Sequence, residues 1–197
     1  MRSLKGHLLV ASPNLLSPFF TQTVLLMLDH TSQGASGVIL NRPTEATITA
    51  VSDQVLQESF DWEKPINLGG PVAGPLMVVH TREDLADDQI LPGVFSSIDA
   101  ARVERMIRQK VEPSLVIANY AGWGPGQLEG EIEEDSWLSM PARPAHVFWA
   151  SDKDLWKTVL QEIQSSSLGR YLGLRDLPGD PSVNRPIRSD PIRSASL

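Results

Sequence analysis

Three apolar runs follow one another near the start of the chain: Leu8-Leu9-Val10-Ala11, Thr23-Val24-Leu25-Leu26-Met27-Leu28 and Gly37-Val38-Ile39-Leu40. Each is short, bounded by Gly, Pro, Asn or Asp, and apolar at consecutive positions, the pattern of strands buried on both faces. Leu76 to Val79, Leu115 to Ala118 and Val147 to Ala150 read the same way. Between residues 128 and 134, Leu128, Gly130 and Ile132 alternate with glutamates, which predicts a strand with one wet face.

Helices are fewer. Val103, Met106, Ile107 and Val111 form an apolar stripe opposite Glu104, Arg105, Arg108 and Gln109, predicting a helix that starts near Ser96 or Ser97. Leu155, Val159, Leu160 and Ile163 share a second helical face behind Ser151, a suitable N-cap, with Asp154 three residues on. A third, shorter helix is expected over residues 49–59. Strands in succession, then a helix, then more strands do not make the regular alternation of a doubly wound parallel sheet. The expectation is an α+β domain with a mixed, largely antiparallel sheet and flanking helices, occupying residues 1–177. Residues 178–197, rich in Pro, Ser and Arg with Pro-Ile-Arg-Ser twice, are expected to be a disordered tail.

A chain of 197 residues with 41% hydrophobic content can bury one sizeable core. The net charge of −7, with no dense basic stripe, disfavours direct nucleic-acid binding. The absence of cysteine excludes disulfides and thiol chemistry. No apolar run approaches the roughly 20 residues of a membrane span and no leader pattern is visible, so a cytoplasmic setting without membrane association is expected.

The segment Asn119-Tyr120-Ala121-Gly122-Trp123-Gly124-Pro125-Gly126 places three glycines around a tryptophan directly after an apolar strand. Such glycine density suggests backbone close to another surface, with Trp123 as a core plug, beside a pocket. Phosphate binding there is disfavoured because the segment is read as leading into a strand rather than a helix. Asn41-Arg42-Pro43 follows a buried strand and can aim Arg42 at an anion. Gly69-Gly70-Pro71 reads as a turn. His30 and His80 each end a strand and can reach one sheet edge. As a pair they have no metal-ligand spacing. The serine-hydrolase pattern fails, since Gly34-Ala35-Ser36-Gly37-Val38 lacks the final glycine. The acidic run Glu133-Glu134-Asp135 reads as a solvated face, and Trp149 and Trp156 as core or interface positions.

Four motifs occur in order: Leu4-x-Gly6-x-Leu8-Leu9, Asp29-His30 through Gly34-Ala35-x-Gly37-Val38-x-Leu40-Asn41-Arg42-Pro43, Gly69-Gly70-Pro71-Val72, and Asn119-Tyr120-Ala121-Gly122-Trp123-Gly124-x-Gly126-Gln127-Leu128-Glu129. Together they resemble the AlgH/YqgE family of uncharacterised bacterial proteins, from about Leu4 through the helix containing Trp156. The resemblance implies an α+β domain whose bifurcated sheet closes into a pseudo-barrel, and it carries no established activity. One branch bears the name of a regulator of alginate synthesis, yet the chain offers no helix-turn-helix pattern for DNA. Members often carry a cysteine where this chain has Met27-Leu28, and an arginine in place of Gln22.

The functional reading is a non-enzymatic regulatory or binding module that engages a small anionic ligand or a protein partner. Its candidate ligand-binding residues are Asn41, Arg42, Gly69, Gly70, His80, Asn119, Tyr120, Trp123 and Gly124, with no catalytic residue, metal or cofactor assigned. The alternative is an enzyme, a hydrolase or transferase, with His30 or His80 as general base. Both readings expect Arg42, His80 and Trp123 to line one concave surface.

Overall fold

The computed structural model describes residues 3–55, 60–148 and 152–171. Residue contacts divide the chain into two units, Met1–Ile163 and Gln164–Leu197. The first holds both sheets. The described part of the second is residues 164–171 of the C-terminal helix.

In the first sheet, β1 (His7–Ala11), β2 (Val24–Thr31) and β3 (Gly34–Ile39) form the centre. It is completed by β10 (Ala121–Trp123) and β11 (Trp137–Pro141), in the order β10-β3-β2-β1-β11, antiparallel throughout. The second sheet contains β4 (Pro43–Thr47), β5 (Pro65–Leu68), β6 (Met77–His80), β7 (Asp88–Leu91), β8 (Val94–Ser97) and β9 (Ser114–Ala118). Its order is β4-β5-β9-β6-β8-β7, with β5 and β9 parallel and the other pairs antiparallel. Among the described residues five α-helices accompany them: α1 (Ile48–Val55), α2 (Ala100–Arg108), α3 (Gln127–Glu133), α4 (Pro144–Val147) and α5 (Asp152–Tyr171).

The apolar runs are continuous because each central strand serves two cores. Leu8, Val10, Val24 and Leu26 join Val79, Val94 and Ile117 of the second sheet in an inner core, which Val147, Leu155 and Val159 extend. The alternate residues Leu9, Ala11, Leu25 and Met27 pack on the opposite face with Trp123, Leu128 and Trp137. Beyond the second sheet, Ile66, Val78 and Val116 meet Ile48 of α1 and Val103, Met106 and Ile107 of α2. Side chains alternate across a strand, so burial on both faces demands an apolar residue at every step.

The chain passes between the sheets twice, from β3 to β4 through Leu40, Asn41 and Arg42, and from β9 to β10 through Asn119 and Tyr120. Residues 68–72 run between these passages. The Ile39 amide donates to Gly69 O (2.9 Å), the Gly69 amide to Ala118 O (2.8 Å), and Val72 and Tyr120 exchange two backbone bonds (2.9 and 3.0 Å). A Cβ on Gly70 would lie 2.1 Å from the Tyr120 carbonyl carbon, and one on Gly69 would lie 2.4 Å from Asn119 O. Only a residue without Cβ admits such contact.

Several expectations are corrected. The two sheets are open, with β10 and β11 as edges of one and β4 and β7 as edges of the other. The pseudo-barrel is therefore absent, because closure needs the edge strands to pair. Residues 128–134 are mostly helical: Leu128 and Ile132, which alternate with glutamates, also stand four residues apart and share one face of α3. Val147 ends α4, which Pro144 opens at its first position, and Trp149 and Ala150 lie outside the described residues. Ser96 and Ser97 belong to β8. The cap of α2 is Asp99, whose side chain accepts the Arg102 amide. The end of the predicted helix over 49–59, the Ser151 cap and the tail over 178–197 lie outside the described residues.

The crossing makes a direct test. Gly70→Ala should lower the unfolding free energy by about 3 kcal/mol or more, because backbone rather than a flexible side chain must yield. Gly130→Ala, inside α3 with nothing within 4 Å of the added Cβ, should stabilise by about 0.5–1 kcal/mol. Equal effects in urea denaturation would show that the crossing tolerates a side chain.

Candidate functional site

A cleft of about 470 Å³ opens where the first passage between sheets meets α5. Its lining comes from Thr21, Gln22 and Thr23 before β2, Asn41, Arg42 and Pro43 after β3, and Trp156 and Lys157 of α5. Local hydrogen bonding builds this shape. Asn41 ties the turn to the strand: its Oδ1 accepts the Val24 amide at 2.9 Å, and its Nδ2 donates to Gln22 O at 2.9 Å. Gln22 itself sits at φ 55°, and the clamp from Asn41 helps hold that backbone. Arg42 donates from Nη1 to Phe19 O and lies 5.0 Å over the Phe19 ring, so its guanidinium is aimed before any ligand arrives. The indole of Trp156 is pinned by an Nε1 bond to Ala11 O at 2.8 Å.

Among the described residues, the cleft is lined by two cations, Arg42 and Lys157, and by no carboxylate. Burial lowers the pKa of Arg42, because removing water disfavours the charged form. A guanidinium remains protonated nonetheless. Among the described residues, Arg42 forms no ion pair with an acid. The arrangement favours an anion.

The other predicted residues lie elsewhere. Gly69, Gly70, Asn119 and Tyr120 form the backbone crossing between the sheets. Trp123 is buried in the outer core of the first sheet as the plug expected of it. Its Nε1 donates to Glu131 Oε2 at 2.9 Å, and that oxygen also accepts from Trp137 Nε1 at 2.7 Å. Gly124 donates its amide to Gln127 Oε1 at 3.1 Å. The left-handed positions of this segment are Asn119 (φ 65°) and Gly126 (φ 73°). The segment leads into α3, so the absence of a following helix is no ground against phosphate there.

His80 and His30 belong to different sheets, which removes the shared edge expected of them. His80 is fully buried. Its Nδ1 accepts the Arg82 amide at 3.1 Å, and its Nε2 lies 3.0 Å from Ser97 Oγ, a hydroxyl that donates to Leu85 O. His30 accepts the Leu4 amide at Nδ1 (3.1 Å) and faces Glu129 Oε1 through Nε2 (3.0 Å). Arg42, His80 and Trp123 therefore do not line one surface. Sequence reading missed Thr21, Gln22 and Lys157 and gave Trp156 no part in a site. No local motif joins α5 to residues 21–43.

A smaller cavity of about 200 Å³ lies beside β5, lined by Asn67, Leu115 and Phe148 and rimmed by the Lys64–Glu112 ion pair at 2.6 Å. Asn67 Oδ1 is buried without a hydrogen-bond partner among the described residues. No described group of three or more His, Asp or Glu could hold a metal ion, and no described helix is long and apolar enough to cross a membrane.

Burial lowers the pKa of His80 despite the opposing charges of Asp84 and Asp87. Burial lowers that of His146 as well, against Glu162. The unfolded chain binds these protons near pH 6.5 and the folded chain only at lower pH. Their contribution is present above about pH 6.5 and is lost as pH falls below it. His80→Asn should be less stable at pH 7.5 but show a shallower fall in unfolding free energy between pH 7.5 and 5.5. An unchanged slope would mean that His80 titrates alike in both states.

The profile of a family described as AlgH-like matches residues 8–167. A protein named UPF0301 from Chlorobium luteolum is 37% identical over 192 residues, covering 93% of this chain and 96% of its own. The solution structure of the AlgH protein from Pseudomonas aeruginosa superposes with a TM-score of 0.70 at 29% identity, over 86% of this chain and 93% of that one. A crystal structure of a Corynebacterium diphtheriae protein gives 0.65 at 25% identity, over 80% and 85%.

Proposed function

The chain belongs to the AlgH-like family, a group without an established activity, and from the geometry of its own cleft we propose that it is a binding module that captures a small anion at Arg42. One observation carries the reading. A partly buried guanidinium, held by the Phe19 carbonyl and ring, faces a cleft whose described lining residues include no carboxylate to balance its charge. A desolvated cation gains from an anion what it has lost from water, and a preset side chain loses little entropy on binding it. Lys157 adds a second positive charge, and Asn41 holds the Gln22 backbone in shape.

This reading favours regulation by ligand capture over catalysis. A general base needs a free ring nitrogen within reach of substrate. In His30 and His80 both nitrogens already have partners, and neither residue lines the cleft.

Inorganic phosphate at about 100 times its dissociation constant should stabilise the protein by about 2.7 kcal/mol, a rise of roughly 5–10 °C in Tm for a chain of this size. Arg42→Ala should fold, losing about 1 kcal/mol with the Phe19 contact, and should show no phosphate-induced shift. Arg82→Ala, which removes an exposed guanidinium paired with Asp84 on the second sheet, should keep it. A phosphate shift that survives in Arg42→Ala would remove Arg42 from the site.

A further inference from the structure

The size and the division of labour in the Arg42 cleft exceed what a bare oxyanion needs. A volume of about 470 Å³ lies within the range of pockets that take whole organic ligands, roughly 300–1,000 Å³. The walls differ in kind. Arg42 and Lys157 supply positive charge and hydrogen-bond donors. Thr21 donates its hydroxyl to Ser17 O at 2.8 Å, so toward a ligand it offers only acceptor lone pairs, which suit a sugar hydroxyl or an amino group rather than a phosphate oxygen. Trp156 spends its one polar group on Ala11 O, which leaves only carbon surface for the cleft. The bond at Nε1 also fixes the indole in place, so little rotamer freedom remains to be lost when something packs against it.

Building on the anion reading above, we infer that the ligand is a ring-bearing phosphate of mononucleotide size. Its phosphate meets Arg42 and Lys157, its planar ring packs on Trp156, and a hydroxyl or amino group between them donates to Thr21. The three demands are met together by a nucleoside monophosphate, whereas an inorganic anion uses only the first. Ring stacking on an aromatic side chain is sequence-tolerant, so a base-general preference is expected rather than selection of one base.

Isothermal titration of the wild-type chain with inorganic phosphate, ribose 5-phosphate, AMP and adenosine separates the parts. AMP should bind at least about tenfold more tightly than ribose 5-phosphate, the gain expected of one stacked ring. Trp156→Leu should remove that difference, Trp156→Phe should keep part of it, and Arg42→Ala should weaken both phosphates. Equal affinity of AMP and ribose 5-phosphate for the wild type would overturn the ring inference while leaving the anion reading intact. That comparison needs no variant, so it decides even if Trp156→Leu fails to fold. A tenfold preference that persists in folded Trp156→Leu would likewise overturn it, by placing the ring elsewhere. No binding of phosphate, ribose 5-phosphate or AMP, or adenosine binding as tightly as AMP, would overturn the anion reading itself.

Discussion

Where Gly69 and Gly70 lie against the backbone of Asn119, Tyr120 and Ala121, two stretches of main chain meet with no side chain between them. This contact lets β3 and β9 each leave one sheet for the other while their amides and carbonyls stay paired through Ile39, Gly69, Ala118, Val72 and Tyr120. Unpaired backbone groups at a buried divergence would be costly, and the intervening segment supplies their partners. The cleft depends on the same construction, because Leu40, Asn41 and Arg42 are the residues that carry the chain from β3 to β4. Leu68 donates to Arg42 O at 2.9 Å, which anchors the main chain of the site residue to the strand that ends at the glycines.

The legible part of the fold was what burial on both faces writes into sequence. β1, β2, β3, β6 and β9 stand where apolar runs were read, and α2 and α5 stand on their apolar stripes. The illegible part has a common cause: β4, β5, β7, β8, β10 and β11 are as short as β1, β6 and β9 but are interrupted by polar residues, glycine or proline, so neither a continuous apolar run nor a clear period marks them. In α3 a short segment satisfied two periods at once, since Leu128 and Ile132 fall on one face either way. Tertiary packing of Leu128 against the Trp123 and Trp137 core then selects the helix.

At the candidate site, Asn41 and Arg42 drew notice because a polar pair braced by proline, directly after a buried strand, is a local signal. Lys157 and Trp156 did not, because α5 enters the sequence more than a hundred residues later and reaches the cleft only through packing on the inner core. The glycine-tryptophan segment, the most conspicuous motif, serves architecture: Gly34 leaves room for Trp123 O, which would stand 2.4 Å from a Cβ there. Conspicuous sequence here marked a constraint on the backbone.

Glu131 takes both indole N–H groups, from Trp123 and Trp137, on one carboxylate oxygen, and Gln127 Nε2 on the other at 2.9 Å. The two rings meet edge to face at 6.2 Å, so the acid sits at the junction of β10, α3 and β11. Loss of either ring leaves the Glu131 carboxylate short of a donor, and loss of the acid leaves two buried indole donors without an acceptor. Positions 123, 131 and 137 are therefore energetically coupled, and the cost of changing two of them together is not the sum of the costs of changing each alone.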